Sequence, residues 1–177
     1  MTRASIVAAA AVALGLSACA PSLGPPPPGG MFPHASPEAF RAEDFVWSTE
    51  TGHGGLAGRL AFHLGKTRYT CARTTIILTP ETPWTRRRME ILYLSAESAA
   101  LPADEVRART PSAPSGDYSA FIRKASCDAA NRFSFAGLPD GAWYVIAVAK
   151  PAAGDGPTMA IMRRVTTHAG KVTPVAL

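Results

Sequence analysis

From residue 54 onward the chain alternates apolar and polar side chains over short runs, and glycine, proline, asparagine or aspartate interrupts the runs every 8–12 residues. Period-two alternation places every second side chain on one face, so each run reads as a half-buried strand. Leu60, Phe62 and Leu64 share one face, with Arg59, Ala61 and His63 on the other. Asp44 to Thr49 is a first strand on the same reading, and Tyr69 to Thr79 a further one, ended by Pro80. Tyr118 to Ser126, Arg132 to Phe135, Ala142 to Ala149, Thr158 to Thr167 and Val172 to Leu177 complete the series. About seven short strands predict a mainly β domain, an antiparallel Greek-key β-sandwich, over residues 43–177.

One stretch departs from this period. Over 84–100, Met89, Leu92, Tyr93 and Ala96 recur at helical spacing and predict a single inserted helix, with Arg86 and Glu90 four apart on its outer side. Residues 101–117 hold three prolines and read as a long loop, a place where binding residues often reside.

The N-terminus belongs to a different regime. Arg3 precedes an uncharged, eleven-residue apolar run from Ile6 to Leu16, too short for a membrane-spanning helix of about 20 residues. It reads as the core of a secretory signal over 1–18. Leu16-Ser17-Ala18-Cys19 resembles the lipobox of bacterial lipoproteins. That resemblance implies diacylglyceryl attachment at Cys19, cleavage before it and acylation of the new amino group, where the alternative is an ordinary secretory signal that contains a cysteine. Ala20 in place of aspartate implies, within that family, delivery to the periplasmic face of the outer membrane. Residues 19–42, with four consecutive prolines from Pro25 to Pro28, form a lipidated tether that favours polyproline II. The membrane is thus one partner, contacted through lipid alone.

With Cys19 acylated, Cys71 and Cys127 remain as an even pair in an oxidising compartment, and we expect a disulfide between them rather than two buried thiols. The chain's net charge of +5 and pI near 9.4 are a mild excess, and nucleic acid is not an expected partner of an exported protein.

Phe133-Ser-Phe135-Ala-Gly137-Leu138-Pro139-Asp-Gly141-Ala-Trp-Tyr144 resembles the F-x-F-x-G-L-P-x-G-x-Y signature of carboxypeptidase regulatory-like domains, which are prealbumin-like β-sandwiches. Asp128 to Asn131 stands where that family has a D-x-x-G turn, with asparagine replacing glycine. The resemblance implies a fold and no chemistry: Phe133 and Phe135 fill the core, while Gly137, Pro139 and Gly141 turn the chain at a corner that the Tyr144 hydroxyl closes.

Catalytic and metal-binding patterns do not emerge. His34, His53, His63 and His168 are scattered, and no H-x-x-E, C-x-x-C or G-x-S-x-G motif occurs, so no cofactor and no enzymatic activity are expected. Arg86-Arg87-Arg88 reads as a solvated basic turn. Trp47, Trp84 and Trp143 could stack on sugar, and Trp84, at a helix start, is the one expected to be exposed. Two functions remain: a structural or protein-interaction module of the envelope, or a glycan- or peptide-binding module using Trp84 and the 101–117 loop.

Overall fold

A computed structural model of the chain describes residues 39–177. The signal segment, Cys19 and nearly all of the tether lie outside these residues. The elements are β1 (Gly54–Arg59), β2 (His63–Leu64), β3 (Thr67–Thr70), β4 (Thr75–Pro80), α1 (Pro83–Tyr93), β5 (Ser98–Pro102), α2 (Ala103–Ala108), β6 (Arg123–Ser126), β7 (Arg132–Leu138), β8 (Gly141–Pro151), β9 (Met159–Thr167) and β10 (Val172–Ala176). The architecture is mainly β, in two sheets, as the alternation requires.

The small sheet runs β10-β1-β7. The large sheet centres on β8, which pairs with β9 on one side and with β4 and β3 on the other; β5 extends it beyond β9, β6 beyond β4 and β2 beyond β3. Between the sheets lies the main core, in which Leu56, Ile76, Leu78, Leu138, Trp143, Val145 and Ala147 are fully buried. A second core covers the outer face of the large sheet, where Met89, Leu92 and Tyr93 of α1 pack on Tyr144, Ala160 and Met162. β8 is consequently apolar on both faces, which is why residues 142–149 carry no alternation in sequence.

Several expectations need correction. Among the described residues ten strands form rather than about seven, and β1 pairs parallel with β10, so the sandwich is not wholly antiparallel. Asp44 to Thr49 is not a strand but part of a 3₁₀ turn spanning Ala42–Thr49. Its hydroxyls explain this: Ser48 Oγ donates to the Phe45 carbonyl at 2.7 Å and Thr49 Oγ1 to that of Val46 at 2.8 Å, bonds that compete with a ladder. The run from Tyr69 is broken into β3 and β4 by a turn at Cys71–Thr74, in which Thr74 donates back to the Cys71 carbonyl and Arg73 takes φ +65°.

The helical stretch also divides. Thr82 caps α1 by accepting from the Thr85 amide, Pro83 supplies a favourable first turn, and Leu94 at φ +57° ends the helix six residues before the expected limit. Residues 98–102 then pair with β9, and 103–108 form α2, so the expected 101–117 loop is largely folded and there are two helices rather than one. Tyr118 to Phe121 is likewise not strand, since a 3₁₀ turn occupies Ser119–Phe121 before β6 begins.

Candidate functional site

Trp84 is not a surface platform. It is fully buried, with Phe40, Phe45 and Tyr118 at centroid distances of 5.3, 6.1 and 5.0 Å. The Arg88 guanidinium lies 5.5 Å from its ring centre, so the one cation able to cover its face comes from the protein itself. Sequence spacing placed Trp84 at a helix start but could not show that residues 40–45 fold back over it. Trp143 is also fully buried, as its apolar neighbours suggest, and Trp47 packs against it at 4.9 Å.

Arg86 and Arg87 are exposed, as a solvated turn requires, and make surface ion pairs, whereas Arg88 is half-buried. Arg86 donates to Glu81 at 2.9 Å, Arg87 to Glu90 at 3.3 Å, and Arg88 to the Pro114 carbonyl at 2.8 Å. The expected pair of Arg86 and Glu90 is present at 3.7 Å.

The corner motif does its work with one substitution of roles. Gly137 takes φ +66°, and a Cβ on Gly141 would fall 2.3 Å from the Trp47 ring. Phe133 and Phe135 enter the core, and Asn131 adopts a left-handed φ of +62°, the conformation that glycine would take most readily at such a turn. The corner is closed by Thr167, not Tyr144: its buried hydroxyl donates to the Pro139 carbonyl at 2.7 Å and accepts from Trp143 Nε1 at 3.2 Å. The Tyr144 side chain points to the opposite face of β8, where its hydroxyl donates to Glu81 Oε1 at 3.3 Å. Burial and then the Glu81 charge push the Tyr144 phenol well above the usual tyrosine range.

Glu81, itself largely buried, is the centre of a charge cluster whose arginines are partly exposed. Besides Arg86 and Tyr144, it accepts from Arg164 Nε at 2.6 Å. Every partner donates to it, so the cluster ties β4, α1, β8 and β9 together as an ion-pair web. Among the described residues no group of three or more His, Cys, Asp or Glu side chains could hold a metal ion; His53, His63 and His168 are each exposed on separate elements.

The surface that gathers functional groups is elsewhere, along the small sheet. An open groove of about 640 Å³ runs between the facing edges of β6 and β7. Lys124 and Ser126 line one wall, Arg132 and Ser134 the other, and Asp128 stands at the turn that joins them. Asp128 is fixed there because its Oδ1 accepts from the backbone amides of Ala130 and Arg132 at 2.8 and 2.7 Å. Ala57, Gly58 and Arg132 also line a second hollow of about 560 Å³ across β1 and β10, which adds Arg59, Arg163 and Pro174. The two share Ala57, Gly58 and Arg132 in their linings. The positions of these residues on outward strand faces were legible in the alternation, but their convergence depends on which strands pair, and no local pattern states that.

The disulfide Cys71–Cys127 is formed, with the Cα atoms 5.7 Å apart, and it joins the turn before β4 to the turn after β6 at the end of this groove.

No protein-family model matches the sequence, and no curated protein sequence matches it. The fold is similar to the crystal structure of a candidate carbohydrate-binding protein from Pseudomonas aeruginosa, with a TM-score of 0.60 and 19% sequence identity over 78% of this chain and 96% of the other.

Proposed function

We propose that the chain is a lipid-anchored, non-catalytic module of the bacterial envelope whose β-sandwich, of the carboxypeptidase regulatory-like kind, binds carbohydrate in the groove between β6 and β7. The observation that carries the reading is the groove itself: an ammonium, a guanidinium, a carboxylate and two hydroxyls line one open channel at the side of the sandwich. Sugar hydroxyls need donors and acceptors interleaved in this way, and such sites are concave with a few fixed polar groups. The likeness in fold to a candidate carbohydrate-binding protein supports the same reading.

The lipobox-like Leu16-Ser17-Ala18-Cys19 supports attachment through Cys19, since two or more acyl chains anchor stably. Radiolabelled palmitate is expected to enter the wild type and not Cys19→Ala; equal labelling of both would remove the anchor from the proposal.

The binding site is tested on a glycan array with the full chain and Ser134→Tyr, which fills the groove from an exposed strand position opposite Ala57. Retention of at least one glycan by the wild type, reduced about tenfold or more in the variant, is expected for a loss of about 1.4 kcal/mol. Unchanged retention in Ser134→Tyr rejects the groove, and no retention by the wild type returns the module to a protein-interaction role.

A further inference from the structure

Arg59 on β1 and Arg132 on β7 are direct cross-strand partners. Like charges in that position oppose each other and destabilise the pair. Neither side chain meets a carboxylate within 4 Å or makes a hydrogen bond among the described residues, whereas Arg41, Arg86, Arg87, Arg109 and Arg164 each pair with one. A third guanidinium joins them. Arg163 reaches from β9 past the edge of the small sheet and is pinned by one bond, from Nη1 to the Ala176 carbonyl at 2.7 Å. Its remaining N–H groups are left for another acceptor. The hollow that these three arginines line has Ala57, Pro174 and Ala176 as its small, apolar floor, and it shares Ala57, Gly58 and Arg132 with the groove that holds Ser126 and Ser134. The one carboxylate lining either surface, Asp128, has an oxygen already taken by two backbone amides.

Three exposed guanidiniums facing one hollow, two of them held in mutual repulsion, form a site that an anion would complete. A guanidinium fork matches carboxylate and phosphate oxygens two at a time. The floor is flat and apolar enough to receive the C–H face of a sugar ring, and the adjoining hydroxyls suit its neighbours. We infer that Arg59, Arg132 and Arg163 select an anionic sugar, one bearing a uronate carboxylate or a phosphate, within the carbohydrate site proposed above, on which this inference rests.

Calorimetric titration of the full chain separates the claims. The probes are trigalacturonate, its methyl ester, a mannose-6-phosphate-bearing oligosaccharide and its dephosphorylated form, with polyglutamate and phosphatidylglycerol vesicles as non-sugar anions. At least one charged sugar should bind about tenfold or more tighter than its neutral counterpart. Arg59→Gln and Arg132→Gln should each reduce that preference to about threefold or less, with circular dichroism unchanged and thermal stability equal or higher, because the repulsion is relieved. A merely structural role would lower stability instead. Equal binding of charged and neutral sugars overturns the anionic selection while leaving carbohydrate binding intact. Absence of any sugar binding overturns both. Polyglutamate or vesicles binding as tightly as the charged sugars would show a general anion surface and reject the inference.

Discussion

Reduction of Cys71–Cys127 should destabilise the domain by about 4 kcal/mol without changing its native structure. The magnitude follows from a sequence separation of 56 residues, because cross-linking a loop of that length removes closure entropy from the unfolded chain worth about 4 kcal/mol. The native state has other means of holding the two turns together. Arg73 donates its amide to the Cys127 carbonyl, and Cys127 donates its own to the Thr74 carbonyl, each at 3.0 Å, extending the β4–β6 ladder past Thr75 and Ser126. The two sulfurs are buried in the main core, so the thiols formed on reduction remain packed. The effect therefore falls mainly on the unfolded ensemble. In urea, with a slope of about 2 kcal/mol per molar, the midpoint should drop by about 2 M on reduction. The slope itself should rise, since the freed chain expands further. Cys71→Ala/Cys127→Ala should lose about 1–2 kcal/mol more, through lost packing. A loss below about 1 kcal/mol on reduction, with the slope unchanged, would refute the argument from chain entropy.

Trp84→Ala should cost about 3–5 kcal/mol by opening a cavity, while Trp84→Phe should cost far less, because the buried Nε1 has no hydrogen-bond partner to lose; thermal melts of the two variants distinguish these outcomes. Glu81→Ala strands Arg164 and the Tyr144 hydroxyl, but both arginine partners are partly exposed, so the loss measured by urea titration should be about 1–2 kcal/mol rather than that of a fully buried pair. Burial raises the phenols of Tyr93 and Tyr144 in the folded state, so their contribution is fully present below pH about 10 and is lost as pH rises beyond it, the unfolded chain releasing protons that the folded one retains. Tyrosinate absorbance should show a late phase that coincides with alkaline unfolding and shrinks in Tyr93→Phe and Tyr144→Phe; a phase that persists undiminished in both variants would contradict the assignment.

What could be read from the sequence was the local periodicity and its consequences. Alternation placed Leu60, Phe62 and Leu64 on one face, of which Leu60 is buried, Phe62 half-buried and Leu64 exposed; the signature resemblance put Phe133 and Phe135 in the core, the even cysteine pair indicated the disulfide, and the helical spacing of Met89, Leu92, Tyr93 and Ala96 placed all four inside. Errors arose where side chains compete with the backbone or where distant segments decide the outcome. Hydroxyl bonds from Ser48 and Thr49 tightened an apparent strand into a 3₁₀ turn. A left-handed Leu94 cut the helix short, a conformation that nothing in its residue type favours. Ser98 to Pro102 became a strand because β9 offered an unpaired edge, which is a tertiary effect. The candidate site failed to show itself for the same reason: Arg59 and Arg132 lie 73 residues apart and meet only through register.

The unequal size of the two sheets explains where a site can form at all. α1 covers the outer face of the large sheet, and its inner face packs on the small sheet through the main core. Among the described residues the small sheet has three strands and no helix packed on its outside, so Ala57, Arg59, Arg132 and Ser134 are exposed there. Its β7 edge stops short of pairing with β6, since the Asp128–Asn131 turn carries the chain from one sheet to the other. That turn creates the groove and the fixed Asp128 together. Extending β6 to pair with β7 would close the channel and continue one sheet into the other, but the end of β6 is already held to the turn before β4 by the backbone bonds between Arg73 and Cys127 and between Cys127 and Thr74, which do not depend on the bridge, so the groove should persist when the disulfide is reduced.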